Sequence, residues 1–430
     1  MAFLLLLVEA CSSSGSSPPK SAGTTNSGGA NGSAGGTTPS ADGGTASNGG
    51  AGDAGGAGGA GGAGGQAGAG SAGGGAGGIA GGSGGATGSG SGGATGTGGT
   101  SGAGGSIVTG PCDIYQSGNT PCVAAHSTVR ALYGSYSGHL YQVRRASDNA
   151  TQDVGVLAPG GIANSATQDT FCAGTTCTIS AIYDQSPKGN HLHVTGPGGW
   201  LPNGAKEADA TAARINLAGH PVYGVYVYGT GFVQGASGVG YRNNQTQGVA
   251  TGDEPEAMYM VASGKRFNQW CCFDYGNAET NSKDNGPGTM EAVYFGSSTQ
   301  WGKGSDTGPW VMADLEDGVF GGQSTAASPT NTSLIADFVT AMLKGKPGGF
   351  ALKGGGAQSG VLKTMYDGKR PDNGYDPMRK EGAIILGTGG DNSNTADGTF
   401  FEGCMTSGYP TDAIDDAVQA NIVAAGYGGG

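Results

Sequence analysis

The chain has 430 residues and a formal net charge of −12, and only 12% of its residues are charged. An acidic surface of this kind disfavours nucleic acid and anionic membranes as partners, whereas a neutral polysaccharide carries no such penalty. Beyond the first ten residues, no segment of the sequence is long and apolar enough to span a bilayer. Composition therefore argues against nucleic-acid-binding and membrane-spanning proteins.

The first ten residues are mostly apolar and immediately precede Cys11 and a Ser/Gly run. An apolar stretch, a small residue, a cysteine and a polar tail are typical of a bacterial lipoprotein signal, in which the cysteine is acylated. The apolar run, residues 1–8, is at the short end of the roughly 7–15 residues of an export signal and lacks a preceding Lys or Arg. A misassigned start codon would explain both departures, and an ordinary secretion signal is the alternative. We predict that residues 1–11 are a lipoprotein-type signal segment with a lipid anchor at Cys11, and that the protein is extracytoplasmic, either secreted or anchored at the cell surface.

Residues 12–110 are almost entirely Gly, Ala, Ser and Thr, with Lys20, Asp42 and Asp53 as the charged residues. Such a segment has too little apolar surface to offset the loss of chain entropy on folding. A collagen helix is excluded because the glycines keep no strict third-residue period. The composition predicts a disordered linker.

Seven cysteines follow Cys11. The close pairs Cys112/Cys122 and Cys172/Cys177 have the spacing of short-loop disulfides, which form outside the cytoplasm. A zinc site is the competing interpretation, but the five histidines form no ligand spacing near these cysteines. We expect no metal and an oxidising compartment.

Residues 111–430 consist of short β-rich runs separated by Gly, Asn, Asp and Pro. Many short strands with turns between them predict an all-β domain, here a two-sheet β-sandwich of the concanavalin-like or jelly-roll type with long loops. Helices are predicted at 127–136 and, at the C-terminus, from Thr411 as N-cap to Gly426. The predicted strands are 178–183, 221–228, 257–262, 290–295, 310–316, 334–343, 350–353, 382–387 and 399–406.

The predicted strand 310–316 is the most informative local pattern. Alternation along a strand directs successive side chains to opposite faces. One face carries Val311, Ala313 and Leu315, and the other carries Trp310, Met312, Asp314 and Glu316. The first set is suited to a core. On the second face, two carboxylates lie beside an aromatic ring, which indicates either an exposed charged strand or the floor of a sugar cleft.

A glycine-rich segment, residues 387–394, follows the predicted strand 382–387. Its glycines allow the backbone to approach a ligand, and Asp391 and Asn392 supply polar groups at the end of the strand. It lacks the Lys and Ser/Thr of a phosphate-binding loop. Taken alone, the segment indicates a turn or a ligand site.

Cys271 and Cys272 are adjacent. Neighbouring Cα atoms are about 3.8 Å apart, below the roughly 4.4–6.8 Å that is usual for a disulfide. Two free thiols are the common state of such a pair. In an exported protein whose other cysteines pair locally, a disulfide between neighbours is the alternative, and strained geometry of that kind is found at functional sites.

Several blocks of residues 110–426 resemble the catalytic domain of the B-type α-L-arabinofuranosidases, family 54 of the glycoside hydrolases. Members of that family continue into a β-trefoil arabinose-binding module. The resemblance covers the catalytic domain, and its blocks are GPCDIY (110–115), TPCVAAHST (120–128), IYDQS (182–186), GYRNN (240–244), CCFDYGNAET (271–280), KEGAIILG (380–387), GGDNSN (389–394) and MTSGYP (405–410).

The resemblance implies a retaining exo-enzyme that removes terminal α-L-arabinofuranosyl groups from arabinan and arabinoxylan. Glu316 matches the catalytic nucleophile and Asp391 the acid/base of that family. Retention requires two carboxyl groups about 5–5.5 Å apart, one ionised and one protonated. We expect the pocket to hold Asp391 protonated while Glu316 stays charged.

The resemblance also assigns substrate-binding positions and disulfides. The two positions after the nucleophile are an asparagine pair in the family and are Asp317 and Gly318 here. Further substrate-binding residues match Asp314, Trp301, Gly390, Cys271 and Cys272. The three family disulfides match Cys112–Cys122, Cys172–Cys177 and Cys271–Cys272.

The expected partner is an arabinose-containing plant polysaccharide, with no metal, organic cofactor or nucleic acid, and the protein is expected to be a monomer. A non-catalytic sugar-binding surface lectin is the main alternative. It would keep Trp301 and the pocket but would not need both Glu316 and Asp391. An exo-glycosidase for another furanoside or for β-xylosides is the closest alternative, because the shape of the pocket determines the choice of sugar.

Overall fold

A computed structural model describes residues 109–231 and 236–428. These residues belong to one unit of the chain, and the second unit, Pro18–Ala103, lies outside the described residues. The predicted signal segment at 1–11 and nearly all of the predicted linker at 12–110 also lie outside them. In the described ranges, no helix is both long and apolar enough to cross a membrane.

Short strands dominate the described residues, as the sequence predicts, and each of the nine predicted strands overlaps an observed one. The helices are α1 (Pro111–Ser117), α2 (Ser165–Phe171) and α3 (Asp412–Ala424). The strands are β1 (Cys122–Ser127), β2 (His139–Arg145), β3 (Thr151–Gly155), β4 (Cys177–Ile182), β5 (Leu192–Val194), β6 (Ala208–Asp209), β7 (Arg214–Leu217), β8 (His220–Tyr223), β9 (Val225–Val227), β10 (Tyr241–Asn243), β11 (Glu256–Ser263), β12 (Asp274–Ala278), β13 (Glu291–Gly296), β14 (Lys303–Gly304), β15 (Trp310–Asp314), β16 (Val319–Phe320), β17 (Ala327–Ser328), β18 (Phe338–Lys346), β19 (Gly349–Gly356), β20 (Lys363–Gly368), β21 (Ala383–Leu386) and β22 (Gly398–Ser407).

Two large antiparallel sheets build the fold. The smaller sheet has the order β1-β22-β11-β18-β19-β20, with β9 also paired to β22. The larger sheet has the order β16-β15-β13-β12-β21-β10-β5-β4-β2-β3, with β6 also paired to β4. Strands β11, β18 and β19 contact β12, β13 and β15 across the interface between the sheets. The predicted all-β two-sheet sandwich is therefore confirmed.

The main hydrophobic core lies between the sheets, and β15 shows how the sequence directs side chains to it. Val311, Ala313 and Leu315 are fully buried in this core, as the alternation predicts. Trp310 and Met312 belong to a separate apolar cluster, which also contains the two adjacent cysteines, Tyr294 and Val319. Because alternate residues of a strand face opposite sides, this second cluster lies on the outer face of the larger sheet.

The predicted C-terminal helix is confirmed as α3. The Thr411 side chain accepts a hydrogen bond from the backbone N–H of Ile414, the interaction of an N-cap. Gly426, just past the end of α3, has a φ of 75°, a conformation that glycine adopts without steric cost. Val418 and Ile422 bury one face of the helix in the core.

The predicted helix at 127–136 is wrong. Ser127 ends β1, and its hydroxyl accepts the backbone N–H groups of Val129 and Arg130, both at 3.1 Å. The N–H of Leu132 donates to the side chain of Gln185 at 2.6 Å. Because side-chain and long-range partners satisfy these N–H groups, no i→i−4 ladder forms. The short helices α1 and α2 were not predicted.

The three expected disulfides, Cys112–Cys122, Cys172–Cys177 and Cys271–Cys272, are all present. The remaining cysteine of the described ranges, Cys404, is a buried free thiol. Two cysteine-containing groups have the proximity of metal ligands, but in each of them two sulfurs are joined in a disulfide. A disulfide sulfur is not the thiolate that binds a metal.

Candidate active site

Glu316 lies in the hairpin turn between β15 and β16, on the outer face of the larger sheet. The predicted strand 310–316 ends at Asp314, two residues early, and β16 begins at Val319. The Leu315 N–H donates to the carbonyl of Gly318 at 3.0 Å and closes the turn. Glu316 has a φ of 60° and Asp317 a φ of 55°. Non-glycine residues in this left-handed region are strained, and such residues concentrate at functional sites.

The glycine-rich segment after β21 approaches Glu316 from the other side. Asp391 is half-buried, and its side chain accepts the N–H of Ser393 at 2.7 Å. A Cβ atom on Gly390 would collide with Glu279 Oε2 and would lie 2.6 Å from Glu316 Oε2. A side chain at position 390 would therefore displace the carboxyl groups.

Most of the residues predicted as catalytic or substrate-binding line one small cavity. Its walls come from β15, from the hairpin turn, from the glycine-rich segment and from the loop before β14. They comprise Cys272, Trp301, Asp314, Glu316, Asp317, Gly318, Val319, Gly389, Gly390, Asp391 and Ser393. Cys271, which does not line the cavity, lies just behind it, because its Sγ is 3.4 Å from Asp314 Oδ2. The structure thus brings together every residue predicted as catalytic or substrate-binding.

The disulfide of Cys271 and Cys272 forms part of the wall of this cavity. Cys272 Sγ lies 3.3 Å from the hydroxyl of Ser393. A disulfide sulfur carries no hydrogen, so the serine hydroxyl is the donor in that contact. Both sulfurs pack in the outer apolar cluster, against which Trp301 also lies. The wall therefore combines an apolar sulfur surface with an indole ring, a combination suited to the apolar face of a sugar.

Burial and mutual repulsion raise the pKa values of the carboxyl groups in the cavity. The pKa of Glu316 lies well above its usual range, because of burial and then because of Glu279 and Asp391. Burial raises the pKa of Asp391 as well. Burial also raises the pKa of Asp314 to about 7 and that of Asp317 to about 6. Burial thus favours the protonated form of both groups, and negative charge on Glu279 and Asp391 opposes ionisation of Glu316.

Two buried carboxyl groups at the site were missed by sequence reasoning. Glu279 is fully buried, and the hydroxyl of Thr289 donates to its Oε1 at 2.5 Å. Its Oε2 has no such donor and lies beside Glu316 Oε2 at Gly390. Asp274 on β12 is fully buried too, and its pKa is raised well above the usual range by burial and by Asp314. Glu316 and Asp314 thus each have a buried partner carboxyl, Glu279 for the first and Asp274 for the second.

Arg242 on β10 is a buried cation that donates hydrogen bonds to the backbone beside this acidic cluster. Its Nη1 donates to the carbonyl of Gly390 at 2.7 Å and to Asn392 Oδ1 at 2.8 Å, and its Nη2 donates to the carbonyl of Glu279. Burial lowers the pKa of Arg242 to about 10, so the side chain remains charged at neutral pH. Arg242 therefore connects the glycine-rich segment to Glu279, the residue that follows β12. The block GYRNN (240–244) was the signal that could have identified it.

We predict that Glu279→Gln shifts the acid limb of the pH–activity profile to lower pH, by about one unit. An ionised Glu316 loses its charge as pH falls through its pKa, and the repulsion from Glu279 raises that pKa. Removing the neighbouring charge lowers the pKa, so activity persists to lower pH. The profile of kcat/KM on an aryl arabinofuranoside checks this.

The matched control for this experiment is Asp416→Asn, which removes one negative charge from the exposed face of α3. Its acid limb should coincide with that of the unsubstituted protein. An unmoved or upward-shifted acid limb in Glu279→Gln would show that Glu279 does not control the charge of Glu316.

A two-sheet sandwich with opposed carboxyl groups in a narrow cavity is an arrangement of glycoside hydrolases. The family model described as "Alpha-L-arabinofuranosidase B, catalytic" matches residues 111–428. A probable alpha-L-arabinofuranosidase B of Aspergillus fumigatus is 57% identical over 326 residues, which are 75% of this chain and 63% of the relative. A Trichoderma koningii protein named arabinofuranosidase/B-xylosidase is 56% identical, with the same coverage of both chains.

A solved structure supports the same relationship. The crystal structure of an arabinofuranosidase complexed with arabinofuranosyl-alpha-1,2-xylobiose superposes with a TM-score of 0.71 at 53% identity. The match covers 74% of this chain and 66% of that one. The chain belongs to the alpha-L-arabinofuranosidase B family, whose catalytic-domain model it matches, and it spans about 63% of the length of the curated relatives.

Proposed function

We propose that this protein is a retaining, exo-acting α-L-arabinofuranosidase that releases terminal arabinofuranosyl groups from arabinan and arabinoxylan. The observation that carries the proposal is the shared cavity of Glu316 and Asp391, with Trp301 and the cysteine disulfide in its walls. The names of the relatives support the choice of sugar. We expect a cavity this small to admit the end of a chain rather than its interior, which favours exo action.

The proposed chemistry uses two carboxyl groups in different roles. Ionised Glu316 attacks the anomeric carbon while protonated Asp391 gives its proton to the leaving oxygen, and a glycosyl-enzyme ester forms. Asp391, now ionised, then removes a proton from water, which hydrolyses the ester and restores both groups. Asp314 and Asp317 are placed to accept hydrogen bonds from sugar hydroxyls, and Gly318 and Gly390 leave room for the ring.

Hydrolysis of a panel of 4-nitrophenyl glycosides tests the function. We expect kcat/KM for the α-L-arabinofuranoside to exceed that for the β-D-xyloside, the α-L-arabinopyranoside and the β-D-galactofuranoside by about 10²-fold or more. A faster reaction with the xyloside or the galactofuranoside would favour the alternative exo-glycosidase. Binding of arabinose-containing polymers without hydrolysis of any glycoside would favour the lectin.

We infer that the protein acts outside the cytoplasm. The three disulfides support this, because such bonds persist in oxidising compartments. In this proposal residues 1–11 direct export, Cys11 carries the lipid anchor, residues 12–110 are a flexible linker, and residues 111–430 act as a monomeric catalytic domain. Labelling with a lipid analogue, cell fractionation and sedimentation test these points. Unlabelled protein in the culture medium would overturn the anchor while leaving secretion intact.

A further inference from the structure

Two further cavities continue from the candidate active site across the surface. The first has a volume of about 490 Å³ and shares Trp301 and Asp317 with the active-site cavity. The second has a volume of about 480 Å³ and shares Gln323 and Ser324 with the first. We call these two cavities together the outer groove. Each has the size of a ligand pocket, and the shared residues make a continuous path that leads away from Glu316 and Asp391.

The segment that joins the two cavities is exposed in its middle and held at its ends. Residues 323–327 are exposed. On the N-terminal side, the carbonyl of Gly321 accepts a hydrogen bond from Asn331 Nδ2 at 3.1 Å, and the same Nδ2 donates to the carbonyl of Val311 at 2.8 Å. On the C-terminal side, β17 pairs with β14. The exposed polar side chains in the middle of the segment therefore project from a backbone that is fixed on both sides.

The lining of the outer groove suits an uncharged sugar chain. The lining combines neutral hydrogen-bonding side chains with aromatic residues, and its charged residues are all aspartates. The neutral polar residues are Gln323, Ser324, Thr325, Ser328, Thr330, Thr364 and Asn373, the rings are Trp301, Phe320, Tyr366 and Tyr375, and the aspartates are Asp317, Asp367 and Asp372. Because no Lys or Arg lines either of these cavities, a chain bearing carboxylate groups would be repelled.

The aromatic residues of the outer groove are held in place before any ligand binds. The Tyr366 hydroxyl donates to the carbonyl of Lys369 at 2.6 Å, and its ring packs on Phe350 at a centroid distance of 4.8 Å. Tyr375 packs edge-on against Phe320 at 5.0 Å, and both of these rings are buried, so Trp301 and Tyr366 are the rings of the groove with partly exposed faces. A xylopyranose ring has no exocyclic carbon and presents two flat faces of C–H groups, which suit stacking on such rings. An arabinofuranose ring is smaller and puckered, and it stacks less well.

We propose that the outer groove binds the uncharged xylopyranose main chain of arabinoxylan, while the arabinosyl branch occupies the cavity of Glu316 and Asp391. This inference rests on the proposed function and adds a polymer-binding site to it. Gln323, where the two cavities meet, and Tyr366, at the far end, are the residues on which main-chain binding depends.

The test measures binding and hydrolysis separately. Titration calorimetry with unsubstituted xylohexaose probes the outer groove whether or not the protein hydrolyses anything. We expect Gln323→Ala and Tyr366→Ala each to weaken this binding by about 5- to 10-fold, with Tyr366→Phe, which keeps the ring, close to the unsubstituted protein. On arabinoxylan kcat/KM should fall to a similar extent, whereas on 4-nitrophenyl α-L-arabinofuranoside it should change by less than about 2-fold.

The matched control is Gln116→Ala on the surface of α1. This helix contacts β1, at the opposite end of the smaller sheet from β20, which carries Tyr366. Because Gln323 is exposed, its variant tests the proposal even if Tyr366→Ala does not fold.

Three results would overturn the inference: unchanged xylohexaose affinity in Gln323→Ala, tighter binding of arabinan oligomers than of xylohexaose, or equal affinity for glucuronic-acid-substituted xylan oligomers. Xylohexaose binding with no hydrolysis of any aryl glycoside would support the groove and reject the proposed function.

Discussion

Glu316→Gln is expected to lower kcat/KM on aryl and polymeric arabinofuranosides alike by about 10⁵-fold, the scale seen when a covalent nucleophile is removed. An amide cannot form the glycosyl ester, so a leaving group that departs easily does not rescue the reaction. Glutamine has the shape of glutamate and imposes the same steric demand at a φ of 60°. The loss should therefore be chemical, and the melting temperature should stay close to that of the unsubstituted protein.

Steady-state kinetics and thermal unfolding check this result together, with Asp416→Asn as the control for loss of one negative charge. Added azide should restore activity to Glu316→Gln only by direct displacement, which gives the glycosyl azide of inverted configuration. If Glu316→Gln retained more than about one hundredth of the activity, its role as nucleophile would be wrong.

Asp391→Asn is expected to show a loss that depends on the leaving group. On arabinan or arabinoxylan the departing alkoxide needs a proton, and the loss of kcat/KM should be about 10²- to 10⁴-fold. On an aryl arabinofuranoside with an acidic phenol, formation of the glycosyl-enzyme needs little help and should be largely spared. Hydrolysis of that intermediate still lacks its base, so the released phenol should appear as a burst followed by slow turnover.

Azide distinguishes the two roles because it attacks the intermediate without base assistance. In Asp391→Asn it should accelerate turnover and give the azide of retained configuration, identified by NMR. The reversed pattern, with a retained azide from Glu316→Gln and none from Asp391→Asn, would exchange the two assignments. The Asp391 hydrogen bond from Ser393 N–H can be kept by an asparagine Oδ1, so the shape of the glycine-rich segment should be preserved.

Local patterns in the sequence determined the all-β class, the C-terminal helix and the two faces of β15. These features depend on side-chain periodicity and capping within a few residues, which a sequence displays directly. The family resemblance supplied the disulfide pairing and the candidate roles of Glu316 and Asp391. The predicted helix at 127–136 failed because its N–H groups bond to Ser127 and to distant residues, which local propensity does not reveal.

Only the tertiary structure decided how the carboxyl groups are arranged. The order of β15, β13, β12 and β21 in the larger sheet brings Glu279 and Asp274 behind Glu316 and Asp314. The proximity of these groups, which raises their pKa values, depends on strand order and register between segments far apart in the chain. The same long-range packing places Glu316 in a turn, brings Arg242 into hydrogen bonds with the glycine-rich segment and joins the two cavities of the outer groove. A single sequence carries no local signal for such contacts, because they exist only once the sheets have assembled.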